Sequence, residues 1–172
     1  MLRLLKLCFN FLIIMAIVLF FLKSIFNINL DNNNKTWTAE VIRVADGDTV
    51  TVSYHNKTEK IRLLGVNSPE TAKEGQAGQC YGDKASDFTH QQLMGQMIVI
   101  VDDSTKEDFD QYGRRLAYIE FKGQDYNQLL IEKGLAKEFT FKGEYYQRQR
   151  SFIAAEKKAR LAKIGLWGQC SL

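Results

Sequence analysis

A chain of 172 residues, 45% apolar and 25% charged, is long enough for one domain with a sizeable core. Its formal charge of +3 does not mark a basic nucleic-acid binder: Arg3, Lys6 and Lys23 stand in an acid-free leader, and the remaining chain carries 20 basic against 20 acidic groups. The spacing of its two histidines, His55 and His90, argues against a zinc site, and no Ser–His or Cys–His arrangement marks a covalent nucleophile.

Arg3 and Lys6 precede the run from Leu7 to Leu22, whose one polar residue is Asn10, and Lys23 closes it. That run is shorter than the roughly 20 residues of a comfortable spanning helix, and no small-x-small cleavage site follows it. Extended through Ile25 and Phe26 with Lys23 snorkelling, residues 1–26 read as an N-terminal hydrophobic helix, either a signal-anchor or a cleaved signal peptide. The positive flank keeps that end in the cytoplasm. The domain is then expected outside the cytoplasm, membrane-anchored through residues 7–26 if the leader is retained and secreted or periplasmic if it is cleaved. Residues 27–35 are an Asn-rich polar tether, and 36–172 form the folded domain. Cys8 lies in the leader, leaving Cys80 and Cys170 as either a disulfide or two separate thiols.

WTAEVIRVA and TVTVSY are β-rich runs joined through Asp46-Gly47, a hairpin dipeptide. KIRLLGV is a third strand, ended by Ser68-Pro69, and a Gly-rich loop leads to a helix from about Asp83 to Met94. Ala85, Phe88 and Leu93 share one face of it. MIVIV is a short buried strand, DDSTKEDFDQYG an exposed loop, and RLAYIEF the fifth strand. Asp125 caps a helix from about Tyr126 to Lys133, which Gly134 stops. A last helix, from about Glu144 to Lys163, places Phe152, Ala155, Ala159 and Ala162 on one side. Its basic residues read as a solvated face. Five strands with three helices make an α+β chain, and a closed five-stranded barrel of OB type leaves no exposed edge.

Three segments carry chemistry. VADGDTV offers Asp46 and Asp48, IRLLGVNSPE offers Arg62 and Glu70, and DQYGRRLAY offers Arg114, all at strand ends that converge on one rim of a barrel. Phosphodiester hydrolysis needs a group to take a proton from water and positive charge around the phosphoryl oxygens. Glu70 suits the first role, and the guanidinium forks of Arg62 and Arg114 suit the second.

In order and in register, DGDT, RLLGVNSPE, YGRRLAY, YGDKASDFT and EKGLAK resemble the thermonuclease (staphylococcal nuclease-like) family, from about Ala39 to Trp167. The resemblance implies a calcium-dependent endonuclease of low sequence specificity that acts on DNA and RNA as a monomer and leaves 3′-phosphate ends. Catalytic roles fall on Arg62, Glu70 and Arg114. The Ca2+ ligands are Asp48, the side chain of Asn67 and the backbone carbonyl of Ser68, with Tyr112 touching substrate. Asn67 departs from the family's common Asp and removes one charge from the site, which weakens calcium binding without abolishing it. Thr140 and Lys142 stand where the family places base-stacking aromatics. Phe139, Phe141, Tyr145 or Tyr146 offer substitutes, the two Phe reading as barrel-buried. The competing reading is a catalytically weak or inactive nucleic-acid-binding module of the same fold.

Overall fold

The computed structural model describes residues 34–171. The hydrophobic run and most of the tether, with the anchor, signal and extracytoplasmic readings built on them, lie outside the described residues. Among the described residues no helix is long and apolar enough to cross a membrane.

Five strands build the barrel: β1 (Thr36–Val44), β2 (Thr49–Tyr54), β3 (Lys57–Leu63), β5 (Met97–Asp102) and β6 (Arg115–Phe121). They run antiparallel in the order β3-β2-β1-β5-β6, and a parallel pairing of β3 with β6 closes the ring. Inward positions alternate with outward ones along β2 and β3, so Val50, Val52, Ile61 and Leu63 fill the interior with Val41, Ile98, Ile100 and Ile119. Three short strands, β4 (Val66–Asn67), β7 (Gln124–Asp125) and β8 (Lys137–Glu138), extend the walls, β4 pairing with β8.

Asp46-Gly47 lies in the turn that joins β1 to β2 as an antiparallel hairpin, as expected, and Gly47 keeps an ordinary φ there. Glycine is needed there for space: a Cβ would stand 2.8 Å from the Cβ atoms of both Ala85 and Ser68. The turn with two left-handed residues is His55-Asn56 (φ 45° and 60°), so β3 begins at Lys57 rather than Lys60. Both His55 and His90 are exposed.

Helix α1 (Gly82–Leu93) buries Ala85, Thr89 and Leu93 against the barrel. In α2 (Tyr126–Glu132) Asp125 is the N-cap, its side chain accepting from the Gln128 amide at 3.0 Å. Asn127 is fully buried and clamps two elements: its Oδ1 accepts from the Ile119 amide, and its Nδ2 donates to the carbonyls of Leu64 and Ala117. Helix α3 (Gln149–Leu161) starts later than expected and leaves Ala162 exposed. Tyr146 drops into the core and donates to Glu138 at 2.8 Å, which holds 144–148 off the helical path. Phe152 then packs edge-on to Tyr118, with ring centroids 6.0 Å apart. A final short helix, α4 (Leu166–Gln169), plugs Leu166 into the core. Cys170, just beyond it, is bonded to Cys80, with Cα atoms 5.9 Å apart.

Candidate active site

The start of β2, the end of β3 and the strand β4 meet at one corner of the barrel. Leu63 donates its amide to the Asp48 carbonyl at 2.9 Å, which draws the DGDT turn against the end of β3. Asp48 is 4% exposed, and its Oδ2 accepts from the Ser68 amide at 2.6 Å. Asp46 braces the turn from within by accepting from the Asp48 amide. Burial pushes the Asp48 carboxyl up to about 6; the neighbouring Asp46 adds to the rise, while Arg62 and the Ser68 amide oppose it.

Arg62 ties the corner together. Its Nη1 donates to the carbonyls of Leu63 and Val66, and its Nη2 stands 3.2 Å from both Asp48 Oδ2 and Asn67 Oδ1. One guanidinium nitrogen therefore touches two of the three residues expected to hold a cation, and the third, Ser68, is bound to the same carboxylate. Every donor in this set is an oxygen, and one is a carboxylate whose burial leaves its charge short of compensation. That chemistry fits a hard divalent cation. Among the described residues no group of three His, Cys, Asp or Glu side chains gathers at one point. A cation here would thus draw on Asp48, the Asn67 amide oxygen, the Ser68 carbonyl and water.

Glu70 follows Pro69 at the mouth of this corner. Its carboxylate pairs with Lys73 at 2.7 Å, with both side chains about half-exposed. Such a pair is worth under about 1 kcal/mol and yields readily to a competing ligand. Lys73 also lies in the field of Asp46 and Asp48, which with Glu70 holds its ammonium pKa above the usual value.

Arg114 stands immediately before the neighbouring strand β6. The closing pair of strands sets Arg62 opposite Leu116, two residues beyond Arg114. Arg114 is held by Asp110, which accepts from its amide, its Nε and its Nη2 at 3.0, 2.8 and 2.7 Å. The same carboxylate accepts from the amide of Tyr112, which is 74% exposed with the Arg114 guanidinium 5.4 Å from its ring. The structure thus joins Asp48, Arg62, Asn67 and Ser68 directly and places Glu70 beside them. Arg114 and Tyr112 stand on the adjacent seam, with no hydrogen bond or ion pair to that cluster among the described residues. Asp110 escaped the sequence reading, although an Asp two and four residues before an ordered Tyr and Arg is a turn-holding pattern.

The aromatic candidates after GLAK divide differently from the expectation. Phe139 and Phe141 are not buried in the barrel: they are 43% and 52% exposed, and their rings lie 6.3 Å apart. Tyr145 is exposed as well, whereas Tyr146 belongs to the core. Strand β8 ends at Glu138 and the following 3-10 turn faces outward, so the alternation that would have turned a Phe inward never develops.

Residues 60–169 match the profile of a family described as staphylococcal nuclease homologue. The chain is 38% identical over 138 residues to a thermonuclease of Staphylococcus hyicus, covering 80% of this chain and 79% of that protein. It is 35% identical to a thermonuclease of Staphylococcus intermedius, covering 74% of each. It is also 29% identical to the endonuclease YncB of Bacillus subtilis, across 80% of this chain and 65% of the relative.

Proposed function

The chain belongs to the family of staphylococcal nuclease homologues and is a nuclease, and from that premise we propose that it is a calcium-dependent endonuclease cutting DNA and RNA with low sequence specificity. The supporting observation is the convergence at Arg62, whose Nη2 reaches Asp48 and Asn67 at 3.2 Å each, with Asn67 standing just before Ser68-Pro69-Glu70. Calcium held by Asp48, Asn67 and the Ser68 carbonyl would polarise a phosphoryl oxygen.

The chain's own groups do the rest. Glu70, once Lys73 turns to a phosphate, accepts the proton of the attacking water. The water oxygen forms a bond to phosphorus as the bond to the 5′-oxygen breaks; that oxygen takes a proton from solvent, and the phosphate stays on the 3′ side. Arg62 and Arg114 donate to the charged phosphoryl oxygens through the transition state. Asp48 and Asp110 keep the two guanidinium groups oriented before substrate arrives. Tyr112 at the rim, with Phe139 and Phe141 farther along, offers faces on which unpaired bases stack.

The Cys80–Cys170 bridge supports an oxidising, extracytoplasmic setting, with segment 7–26 as tether or discarded leader. The test uses the full-length protein as a monomer on single-stranded DNA, with calcium or with a chelator, beside Glu70→Gln. Calcium-dependent cutting that falls by about 100-fold or more in the variant is the expected result. A folded parent that binds DNA but cuts at no calcium level would instead identify the binding module.

A further inference from the structure

Glu70 stands between a fixed support and an exposed loop. On its N-terminal side Ser68 is fastened to Asp48, and Pro69 is buried. On its C-terminal side residues 72–80 are all exposed, and the loop's own cross-link is the Lys73–Gln76 pair. A solvated loop of this kind is expected to be among the first parts of a domain to open.

What restrains it is Gln79. Its amide donates to the Glu70 carbonyl at 2.9 Å, and its side-chain Oε1 accepts from the Glu70 amide at 3.1 Å. Both main-chain polar groups of Glu70 are thus taken by one residue. Gly82 adds a steric stop, because a Cβ there would run into the Glu70 carbonyl. The next residue after Gln79 is Cys80, joined to Cys170. Cys170 is itself tied down: its amide donates to Leu166, which is buried and donates in turn to the Gly134 carbonyl at 2.8 Å. A continuous path of hydrogen bonds and one covalent link runs from the core through the C-terminal turn to the main chain of Glu70.

Resting on the assignment of Glu70 as the base, we infer that Gln79, held in place by the Cys80–Cys170 bridge, is a positioning residue that sets the Glu70 carboxylate over the phosphate site. Neither Gln79 nor the cysteines touch substrate. Their effect is on where the base stands, and a displacement of about 1 Å at a reacting group lowers a rate by up to about 100-fold. The signature is a fall in kcat with KM preserved, because the arginines that grip phosphate stand on other elements.

The experiment compares full-length parent, Gln79→Met, the bridge-free Cys80→Ser/Cys170→Ser protein and Glu70→Gln on one DNA substrate at saturating calcium. Circular dichroism and melting temperature are recorded for each. Gln79→Met is expected to lose about 10- to 100-fold in kcat with KM within about twofold. The bridge-free protein should show the same split at temperatures where it remains folded. Adding Gln79→Met to it should lower kcat by less than the product of the separate losses, since both act through one path. Parental kcat in Gln79→Met overturns the inference, as does a bridge-free protein altered only in melting temperature. If the bridge-free protein does not fold, Gln79→Met with its bridge intact decides alone. An unaffected Glu70→Gln would instead overturn the assignment of the base.

Discussion

Asp48 is a carboxylate kept where water scarcely reaches it, and its pKa near 6 records the strain of ionising there. An amide at this position keeps an oxygen for Ser68 and Arg62 while shedding the buried charge. Because its folded pKa is raised, the parent should lose stability in chelator as pH rises from about 4 to about 7, and Asp48→Asn should lack that loss, read from urea unfolding at both ends. The same variant should lose its response to calcium. Asn67 is the opposite case, an exposed side chain where a charge is missing. Asn67→Asp should tighten calcium binding about 10-fold, as Coulomb attraction between a dication and an added carboxylate in partly solvated surroundings suggests. Calcium titration of both proteins checks this, and equal affinities would remove Asn67 from the ligand set.

Between β5 and α3 one buried carboxylate does the fastening. Asp103 accepts from Thr105, from the Tyr118 hydroxyl and from the Gln147 amide, which leads into α3. Burial works to raise its pKa, but these hydrogen bonds outweigh it and hold the carboxyl below its ordinary value of 3.8. A depressed folded pKa means stability that is present above that value and is lost as pH falls through the folded one. Asp103→Asn should thus destabilise the domain by about 1–3 kcal/mol at pH 7. The gap from the parent should close in acid below about pH 4, measured by urea unfolding at both ends. The segment from β8 to α3 makes a separate prediction. Phe139→Ala/Phe141→Ala should leave the melting curve nearly unchanged and raise KM for single-stranded DNA about 10-fold or more, at about 1–3 kcal/mol per stacked base. This segment was also the least legible in the sequence. Phe139, Phe141, Tyr145 and Tyr146 are all aromatic, yet of these four only Tyr146 is buried, with its hydroxyl donating to the half-buried Glu138. Composition cannot distinguish an aromatic that packs from one that waits for a base. The helix start failed for the same reason: the seating of Tyr146 is a tertiary event, and it overrides local propensity over 144–148.

At the scale of the whole domain, the strands were readable because apolar residues alternate at period two and β-branched residues dominate them. The barrel was readable because five such strands leave edges that closure removes. The corner's residues were readable as a set, since DGDT, RLLGVNSPE and YGRRLAY keep charged groups at strand ends. Their actual contacts were not. That Arg62 bridges Asp48 and Asn67, and that Asp110 holds Arg114, depends on side-chain directions no spacing specifies. The pairing of Cys80 with Cys170 was likewise open, because distance across the fold is invisible in the chain. Digestion without reductant should release a linked peptide pair containing those two cysteines, and mass spectrometry finding both as free thiols would refute the pairing. The parallel seam between β3 and β6 has a temporal consequence. It sets Ile61 opposite Arg115 across the middle of the chain, so it closes only after the local hairpins and incurs a large loop entropy. Arg62 and Arg114 approach each other only across that seam. During refolding, regained hydrolysis should then lag behind regained β-sheet signal, and a chain caught midway, sheet largely formed, would be harmless to the nucleic acids around it.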